Sequence, residues 1–444
     1  MKRNHSRSIG RGAAGVLVLA AGAAWAQAPA PAKPPIAQYW MDVATGNMSI
    51  PGMRGAGGGG LLGGLMGGMG GMGGGPGGAA GFGGTGKTLD LGLYTRNKPQ
   101  GADGRHGTPP PARFDAPLPL VPPRPVASEP GRPVDREPGE PVEKPRARML
   151  MYWGCGETVR AGQPRVIDTA TMSPAEFGKA LSSRGAPDRG AARAAGRSVW
   201  PNPTDPRRVP QDASLVGAHQ VSGEGVPDIR FTLGANQDFM APLDITLTGA
   251  PSASVGVEWR PVPTARAFFA QAMGSKGGAE TIIWTSSESA ETGFGLFDYL
   301  PNNLVDRWVG ERVLMPASTL KCAIPAGIFE GVQGAMVRMI AYGQELNLVH
   351  PPRPDDPKVP WEPIWAARVR EKSTGMAMVG MSDGRGGASD DAPRGRGAQE
   401  ASGGSATQGE APAQGEAPSQ DRGGGGILPG GVNPVDVLRG IFRR

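Results

Sequence analysis

The stretch RARMLMYWGCGETVRAGQPRVI, residues 146–167, marks the point at which this sequence changes character. A glycine tract and a proline-rich segment precede it, and short apolar runs recur after it as far as about residue 372. Met149 to Trp153 is typical of a β-strand because its side chains are apolar or aromatic. The foldable part of the chain is therefore predicted to begin here and to occupy roughly half of the sequence.

Glycine and proline are unusually abundant, with 73 Gly and 46 Pro among 444 residues. Both concentrate in segments that do not build a hydrophobic core. The formal net charge of +6 is mild, and the basic residues are scattered. They do not form a stripe with interleaved aromatic side chains, the pattern of a nucleic-acid groove. The composition favours a solvated surface and no nucleic-acid partner.

The N-terminus has the three parts of a secretory signal peptide, predicted at residues 1–26. Cationic residues come first, an apolar run at 13–24 follows, and Ala24-Trp25-Ala26 gives a small-residue cleavage site. The alternative, an anchor helix, is disfavoured because the run is shorter than the ~18 residues of a spanning helix. The mature protein is predicted to be exported, either periplasmic or secreted, without a transmembrane span.

Several further segments differ by composition. Residues 27–100 hold two strand patterns around a Gly/Met-rich loop at 52–86, where ordering glycine costs too much entropy. These two strands can pair with each other, and the loop then connects them. Residues 101–145 are predicted to form a proline-rich linker in polyproline II conformation. Residues 373–430 are rich in Gly, Ser, Ala, Asp and Gln, and are predicted to be a disordered tail.

The foldable region is divided into a mixed β-rich domain at 146–243 and a β-sandwich-like domain at 244–372. Short β-branched or aromatic runs bounded by Gly, Pro, Asn or Ser predict most of its structure. The fold class is therefore mainly β, with one or two sandwich-like domains. The strand patterns lie at 214–221, 229–233, 243–248, 255–262, 267–273, 281–285, 319–324 and 336–342.

Short helices interrupt this β pattern. Ser173 is predicted to be an N-cap, with Pro174 at the first helical position and Glu176 completing a capping box. A second helical stretch is predicted around residues 304–309. The fold is thus expected to be β-rich with little helix.

One part of the region resembles a known family. SVGVEWRPVP, residues 254–263, is followed by an aromatic pair at Phe268-Phe269. This stretch resembles the second and third strands of fibronectin type III and related immunoglobulin-like domains. In such domains a strand ends in a buried Trp, a Pro-containing turn follows, and the next strand brings an aromatic across. MVRMIAY, residues 336–342, resembles a late strand of the same fold.

The resemblance covers about residues 244–350, and an apparent insertion at 291–315 departs from it. It implies a β-sandwich for this region. Such folds host many unrelated functions, so the resemblance implies no activity.

A Walker A pattern occurs at residues 81–88, GFGGTGKT. A phosphate-binding loop needs a buried strand before it and a helix after it, so that backbone N–H groups converge on the phosphates. Here a glycine tract precedes the pattern and an alternating strand follows it. We interpret the match as accidental, and no cofactor is predicted.

Cys155 and Cys322 are the only cysteines. Export favours a disulfide between them, although two separate buried thiols are equally compatible with the sequence. A catalytic Cys155 is the third alternative and would need His219 or His350 nearby. Nothing in their spacing favours that arrangement.

Two other catalytic and metal patterns, C-x-x-C and H-E-x-x-H, are absent from the sequence. Carboxylates for glycoside chemistry exist, but a surface role is the default; they are Glu258, Glu288, Asp298 and Asp306. Tryptophans can stack on sugars when exposed, yet core packing is the simpler interpretation. The set comprises Trp200, Trp259, Trp284, Trp308, Trp361 and Trp365.

The C-terminal residues 431–444 are predicted to form a short amphipathic helix, with Asn433 as N-cap and Pro434 after it. Its apolar face is Val435, Leu438, Ile441 and Phe442. Such a peptide folds on a partner or lies on an anionic membrane surface; a frayed end without a role is the other interpretation.

The sequence predicts an exported cell-envelope protein that binds or scaffolds and is not an enzyme. Its expected partner is an envelope protein or a glycan, with peripheral membrane contact through the C-terminal helix. The alternatives are an envelope hydrolase acting on polysaccharide or peptide, and a carbohydrate-binding module.

Overall fold

The computed structural model describes residues 33–49, 85–123, 148–186, 190–191, 194–277, 280–332, 334–356 and 358–380. The predicted signal peptide lies outside these ranges, as does the Gly/Met-rich loop up to residue 84. The predicted tail beyond residue 380 and the C-terminal helix also lie outside them. Among the described residues, no helix is long and apolar enough to cross a membrane.

The fold is mainly β, as predicted. The described ranges contain two short α-helices, α1 at Pro174–Ala180 and α2 at Asn302–Gly310. The strands are β1 Ala37–Ser49, β2 Gly86–Thr95, β3 Gly104–Gly107, β4 Leu118–Leu120, β5 Arg148–Trp153, β6 Arg165–Asp168, β7 Ser198–Trp200, β8 Gly217–Gly223, β9 Val226–Leu233, β10 Ile245–Thr248, β11 Val255–Trp259, β12 Ala267–Lys276, β13 Glu280–Thr285, β14 Met315–Pro316, β15 Lys321–Ile324, β16 Met336–His350 and β17 Trp365–Met378.

The predicted helix starts are confirmed. Ser173 accepts a hydrogen bond from the Glu176 amide, and the Glu176 carboxylate accepts one from the Ser173 amide. This reciprocal capping box satisfies two amides that the first turn of α1 leaves without helical partners. The second helix, α2, covers the stretch predicted around residues 304–309.

Ten strands form one large sheet, in the order β6-β5-β13-β12-β16-β17-β1-β2-β7, with β14 beside β12. The β1–β17 and β5–β13 pairs are parallel, and the others are antiparallel. Strands β1 and β2, which flank the glycine tract, pair from Ala37 with Thr95 to Gly46 with Gly86. Their predicted pairing is confirmed.

Two predicted boundaries were wrong. The linker at 101–145 contributes β3 and β4 to a four-stranded sheet of order β4-β3-β8-β9. The short segments GRHG and LPL pair with each other as antiparallel strands. The hydrogen bonds of this pairing outweigh the preference of the segment for polyproline II conformation. The tail at 373–430 begins inside β17, because residues 373–377 pair with both β1 and β16.

One face of the large sheet, face A, carries two apolar cores side by side. Successive side chains of a strand point to opposite faces of the sheet. The odd-numbered residues of β17, which include Trp365, Val369 and Ala377, therefore all point to face A. A three-stranded sheet, β10-β11-β15, covers one core, which includes Trp259, Phe268 and Trp284 among its members. We call this half the disulfide lobe, because Cys155 and Cys322 are joined by a disulfide at its edge.

The four-stranded sheet covers the other core on face A. This core contains Tyr39, Met41, Leu91, Trp200 and Phe231. An isolated bridge joins Val199, in β7 of the large sheet, to Val121, which follows β4 of the four-stranded sheet. The two sheets are therefore connected at this edge. We call this half the histidine lobe.

The opposite face, face B, is covered by helices and by the segment between β13 and α2. Phe177 and Leu181, on and just after α1, pack on Ile167, while Trp308 of α2 packs in a core with Phe269 and Tyr342. Face B also buries charged side chains of β17, including Arg370 and Lys372. The two faces of one sheet therefore differ in polarity.

Candidate functional site

The second half of β16 forms an open edge of the large sheet. Strand β12 pairs with β16 only from Met336 to Tyr342. Beyond a register shift, β16 continues from Glu345 to His350 and pairs with β17 alone. We call residues 345–350 the β16 edge.

The direction of the backbone groups along this edge follows from one side chain. Asn302, the first residue of α2, donates from Nδ2 to the Glu345 carbonyl at 2.8 Å. The Glu345 amide in turn donates to Asn302 Oδ1 at 2.9 Å. The polar backbone of Glu345 thus points away from β17, and Asn302 occupies the position of a neighbouring strand.

Backbone groups of an antiparallel strand alternate in direction at every second residue. The amides and carbonyls of Asn347 and Val349 therefore also point outward, like those of Glu345. Among the described residues, neither has a backbone partner on that side. Both residues are exposed, with Val349 at 36%. The edge offers two donors and two acceptors in strand geometry.

The side chains beside the edge are apolar on one face and polar on the other. Leu346 and Leu348 point to face A and pack against the core of the histidine lobe. On face B, Asn347 donates to Glu345 Oε1 at 2.8 Å, and Arg368 Nε donates to Asn347 Oδ1 at 3.2 Å. A strand added here would alternate apolar and polar side chains.

The described surface also has two shallow clefts. One, of about 510 Å³, is lined by Glu258, Trp259 and residues 318–321 beside β15. The other, of about 410 Å³, lies over β8 and β9 and is lined in part by Gln220, Arg230 and Thr232. Trp259 is only 5% exposed, so the first cleft presents no aromatic platform.

The predicted tryptophan set divides clearly. Trp361 is half-buried and donates from Nε1 to the Pro351 carbonyl at 3.0 Å. The others are buried, at 7% exposure or less: Trp200, Trp259, Trp284, Trp308 and Trp365. Core packing is therefore the role of these five, and they leave no ring for stacking on a sugar.

A chain of polar side chains crosses the core of the histidine lobe. The Tyr39 hydroxyl of β1 is hydrogen-bonded to His106 Nδ1 of β3. His106 Nε2 lies 2.9 Å from Nδ1 of His219 on β8, and His219 Nε2 lies 2.7 Å from the Leu215 carbonyl. The His219 ring stacks on Phe231 with 5.1 Å between centroids. We call these three side chains the Tyr–His–His chain.

Burial sets the protonation of this chain. It raises the pKa of Tyr39 and lowers the pKa of both His106 and His219, with the proximity of the other imidazole lowering that of His106 further. All three groups are therefore neutral at pH 7, and they link three strands from two sheets.

On face B, Asp42 and Arg370 form a buried two-pronged ion pair. Arg370 Nε donates to Asp42 Oδ1 at 2.7 Å, and its Nη2 donates to Oδ2 at 2.8 Å. The Ala191 amide donates to the same Oδ2 at 2.8 Å. Arg370 and Lys372 also lie over the Tyr299 ring, 4.6 and 4.3 Å from its centroid. This arrangement pins β1, β17 and the covering segments together.

Between the two lobes, face A buries a carboxyl group. Glu371 is 3% exposed, and neither carboxyl oxygen has a hydrogen-bond partner among the described residues. Burial raises its pKa to about 8. Thr45, across from Ser373, donates to the Met240 carbonyl at 2.8 Å, which ties the segment joining β9 to β10 over this point.

Cys155 and Cys322 are joined by a disulfide, with 5.2 Å between their Cα atoms. The bond ties the end of β5, in the large sheet, to β15 of the three-stranded sheet. Because the thiol of Cys155 is consumed, a nucleophilic role for it does not fit this structure.

The structure separates the other predicted candidates. Lys87 and Thr88 of the Walker-like pattern lie in β2, where a phosphate loop would need a helix, and Lys87 Nζ donates to the Ala213 carbonyl. Glu288 pairs with Arg160 at 2.6 Å, whereas Asp306 pairs with Arg266 on another part of the surface. Within the described ranges, no three His, Cys, Asp or Glu residues cluster as metal ligands.

The C-terminal set Val435, Leu438, Ile441 and Phe442 lies outside the described residues. Sequence reasoning did not find the β16 edge or the Tyr–His–His chain. The one available signal was the length of β16, since MVRMIAYGQELNLVH continues the strand pattern past residue 342. His106 stood in a predicted linker, and no local pattern related it to His219.

No protein-family model and no curated protein matches the chain. The resemblance of residues 244–350 to fibronectin type III domains stays a prediction.

Proposed function

We propose that this chain is an exported cell-envelope protein that binds partners and is not an enzyme. Its recognition element is the β16 edge, which takes an extended polypeptide segment of a partner protein as an added strand. The observation that carries this proposal is the outward-pointing, unpaired backbone of Asn347 and Val349 among the described residues.

The chemistry of the edge favours a polypeptide over a glycan. Strand addition needs alternating backbone donors and acceptors, which this edge supplies. Asn302 fixes the register, because it already occupies the backbone of Glu345. An incoming strand is limited to four backbone hydrogen bonds, with apolar side chains over Leu346 and Leu348.

The edge at β9 is less suitable. Strand β9 ends the four-stranded sheet, but it carries the exposed ion pair Asp228–Arg230. Natural proteins use charges on edge strands to discourage pairing. No residue from 346 to 349 is charged, so the β16 edge lacks this protection.

Proline at position 349 tests the proposal. Val349→Pro removes one outward donor while the chain stays folded, because edge strands tolerate proline whose nitrogen faces solvent. Val349→Thr is the matched control, since it keeps the amide and the β-branched shape. A photoreactive side chain at position 347 then identifies what contacts the edge in the source envelope. We expect a cross-linked partner peptide with Val349→Thr and at least a tenfold loss with Val349→Pro.

Two results would overturn this assignment. Equal cross-linking by both variants would show that backbone pairing is not used. A cross-link to glycan, or turnover of cell-wall fragments by the purified chain, would favour the carbohydrate-binding or hydrolase alternative.

A further inference from the structure

The Tyr–His–His chain has a fixed direction of hydrogen-bond donation. A carbonyl oxygen only accepts, so the nitrogen facing the Leu215 carbonyl, His219 Nε2, carries a hydrogen. A neutral imidazole has one N–H, and His219 Nδ1 is therefore an acceptor. His106 Nε2 must then be the donor across the 2.9 Å contact. His106 Nδ1 is left as an acceptor, and the Tyr39 hydroxyl donates to it.

Adding one proton breaks this order. A protonated His219 would present Nδ1–H to the Nε2–H of His106, placing two donors face to face. If His106 moved its own proton to Nδ1, the Tyr39 hydroxyl could accept from it. The hydroxyl hydrogen would then have no acceptor in the described surroundings. Either way, a buried donor loses its partner, which is costly in a core.

Nothing that faces the chain compensates a positive charge. Strand β1 contributes Tyr39, β3 and β8 contribute the two histidines, and β9 contributes Phe231. In the part of the chain that the structure describes, no carboxylate contacts either imidazole. Among the described residues the buried histidines are His106 and His219, so the disulfide lobe contains no buried imidazole.

We propose that the Tyr–His–His chain is an acid-sensitive latch that holds the four-stranded sheet on the large sheet. Above pH 7 the one-directional hydrogen bonds close the histidine lobe, and in mild acid that lobe opens while the disulfide lobe stays closed. This inference does not depend on the β16 edge. If the latch acts in this way, the two lobes of one polypeptide respond differently to acid.

The sign follows from proton counting. The histidines are neutral in the folded lobe, and each binds a proton near pH 6.5 when exposed. Below that pH the open form binds more protons, so opening is favoured as pH falls. Two histidines raise the opening constant by up to about 100-fold per pH unit. Glu371 has the opposite effect, because its raised pKa makes the folded state less stable as pH rises above about 4.5. Each variant must therefore be compared with the wild type at the same pH.

Amide hydrogen exchange between pH 7 and pH 5 is the test. Corrected for intrinsic rates, protection of β3, β8 and β9 should fall at least tenfold across this range, while β10, β11 and β15 change less than threefold. In His219→Gln, the pH dependence of the histidine lobe should flatten. Glu258→Gln, at an exposed residue of β11 in the disulfide lobe, should behave like the wild type.

Imidazole NMR of the unmodified protein tests the direction without relying on a variant that folds. The latch requires N–H at Nε2 of both His106 and His219 at pH 7. A hydrogen on Nδ1 of either ring, or both rings charged at pH 7, would overturn it. Equal loss of protection in both lobes would do the same.

Discussion

The two lobes stand on one sheet but are closed by different means. A covalent bond, Cys155–Cys322, ties the disulfide lobe across an apolar core. The histidine lobe has no covalent tie among its described residues; hydrogen bonds from Tyr39, His106 and His219 cross its core instead. A disulfide is cleaved by reductant and is stable in mild acid. The imidazoles are protonated in mild acid and are unaffected by reductant. One sheet can therefore carry two halves with independent sensitivities.

Removing the disulfide gives the largest expected effect and would reverse the comparison. The cysteines are 167 positions apart, and cross-linking such a loop stabilises by up to about 5 kcal/mol in the chain-entropy model. Cys155→Ala/Cys322→Ala should therefore lower the free energy of unfolding by about 3–5 kcal/mol in guanidinium titration. Hydrogen exchange should show β10, β11 and β15 losing protection first. Equal losses in the two lobes would contradict a local role for the bond.

Asp42→Asn tests the ionic pin on face B beneath the histidine lobe. The change leaves the buried Arg370 charge without its carboxylate and should cost about 3–5 kcal/mol, measured by chemical denaturation at pH 7. Asp306→Asn is the control, because Asp306 belongs to an exposed pair and should cost less than about 1 kcal/mol. Similar losses for the two variants would remove the distinction between buried and exposed pairs.

Glu371→Gln tests the contribution of the buried carboxyl group that lies between the two lobes. The folded protein holds the Glu371 proton up to a pKa of about 8, while the unfolded chain releases it near 4.3. Stability from this group is thus present at low pH and lost as pH rises through this window. The glutamine variant should be more stable by about 3 kcal/mol at pH 7, with no gain at pH 4. Thermal unfolding at both pH values checks this, with exposed Glu258→Gln as control; a destabilised glutamine variant at pH 7 would contradict it.

The sequence predicts strands where one face is apolar and the other polar. Strands β2, β12 and β13 were found because their apolar residues alternate or cluster between clear breaks. Strand β17 was not predicted, and the predicted domain boundary at residue 372 falls inside it, since its face B residues are buried charges and its end is rich in small residues. Burying Arg370 and Lys372 depends on partners from other elements, which no local pattern contains.

The candidate site was harder to predict than the strands. An open edge is a property of strand order, and the place of β16 beside β17 and β12 comes from long-range pairing. The Tyr–His–His chain likewise draws residues from β1, β3 and β8. The disulfide was one of three alternatives that the sequence left open, and the structure joins the two cysteines.

The parallel pairing of β1 with β17 has a consequence for the order in which the protein is made. The first and last described strands lie side by side in the interior of the sheet, with Ala37 opposite Trp365. A growing chain therefore exposes one side of β1 until almost every other strand has been synthesised. Contacts so distant in sequence make folding slow. The histidine lobe, whose core contains Trp365, Ala367 and Val369 of β17, can close only after synthesis has passed residue 369.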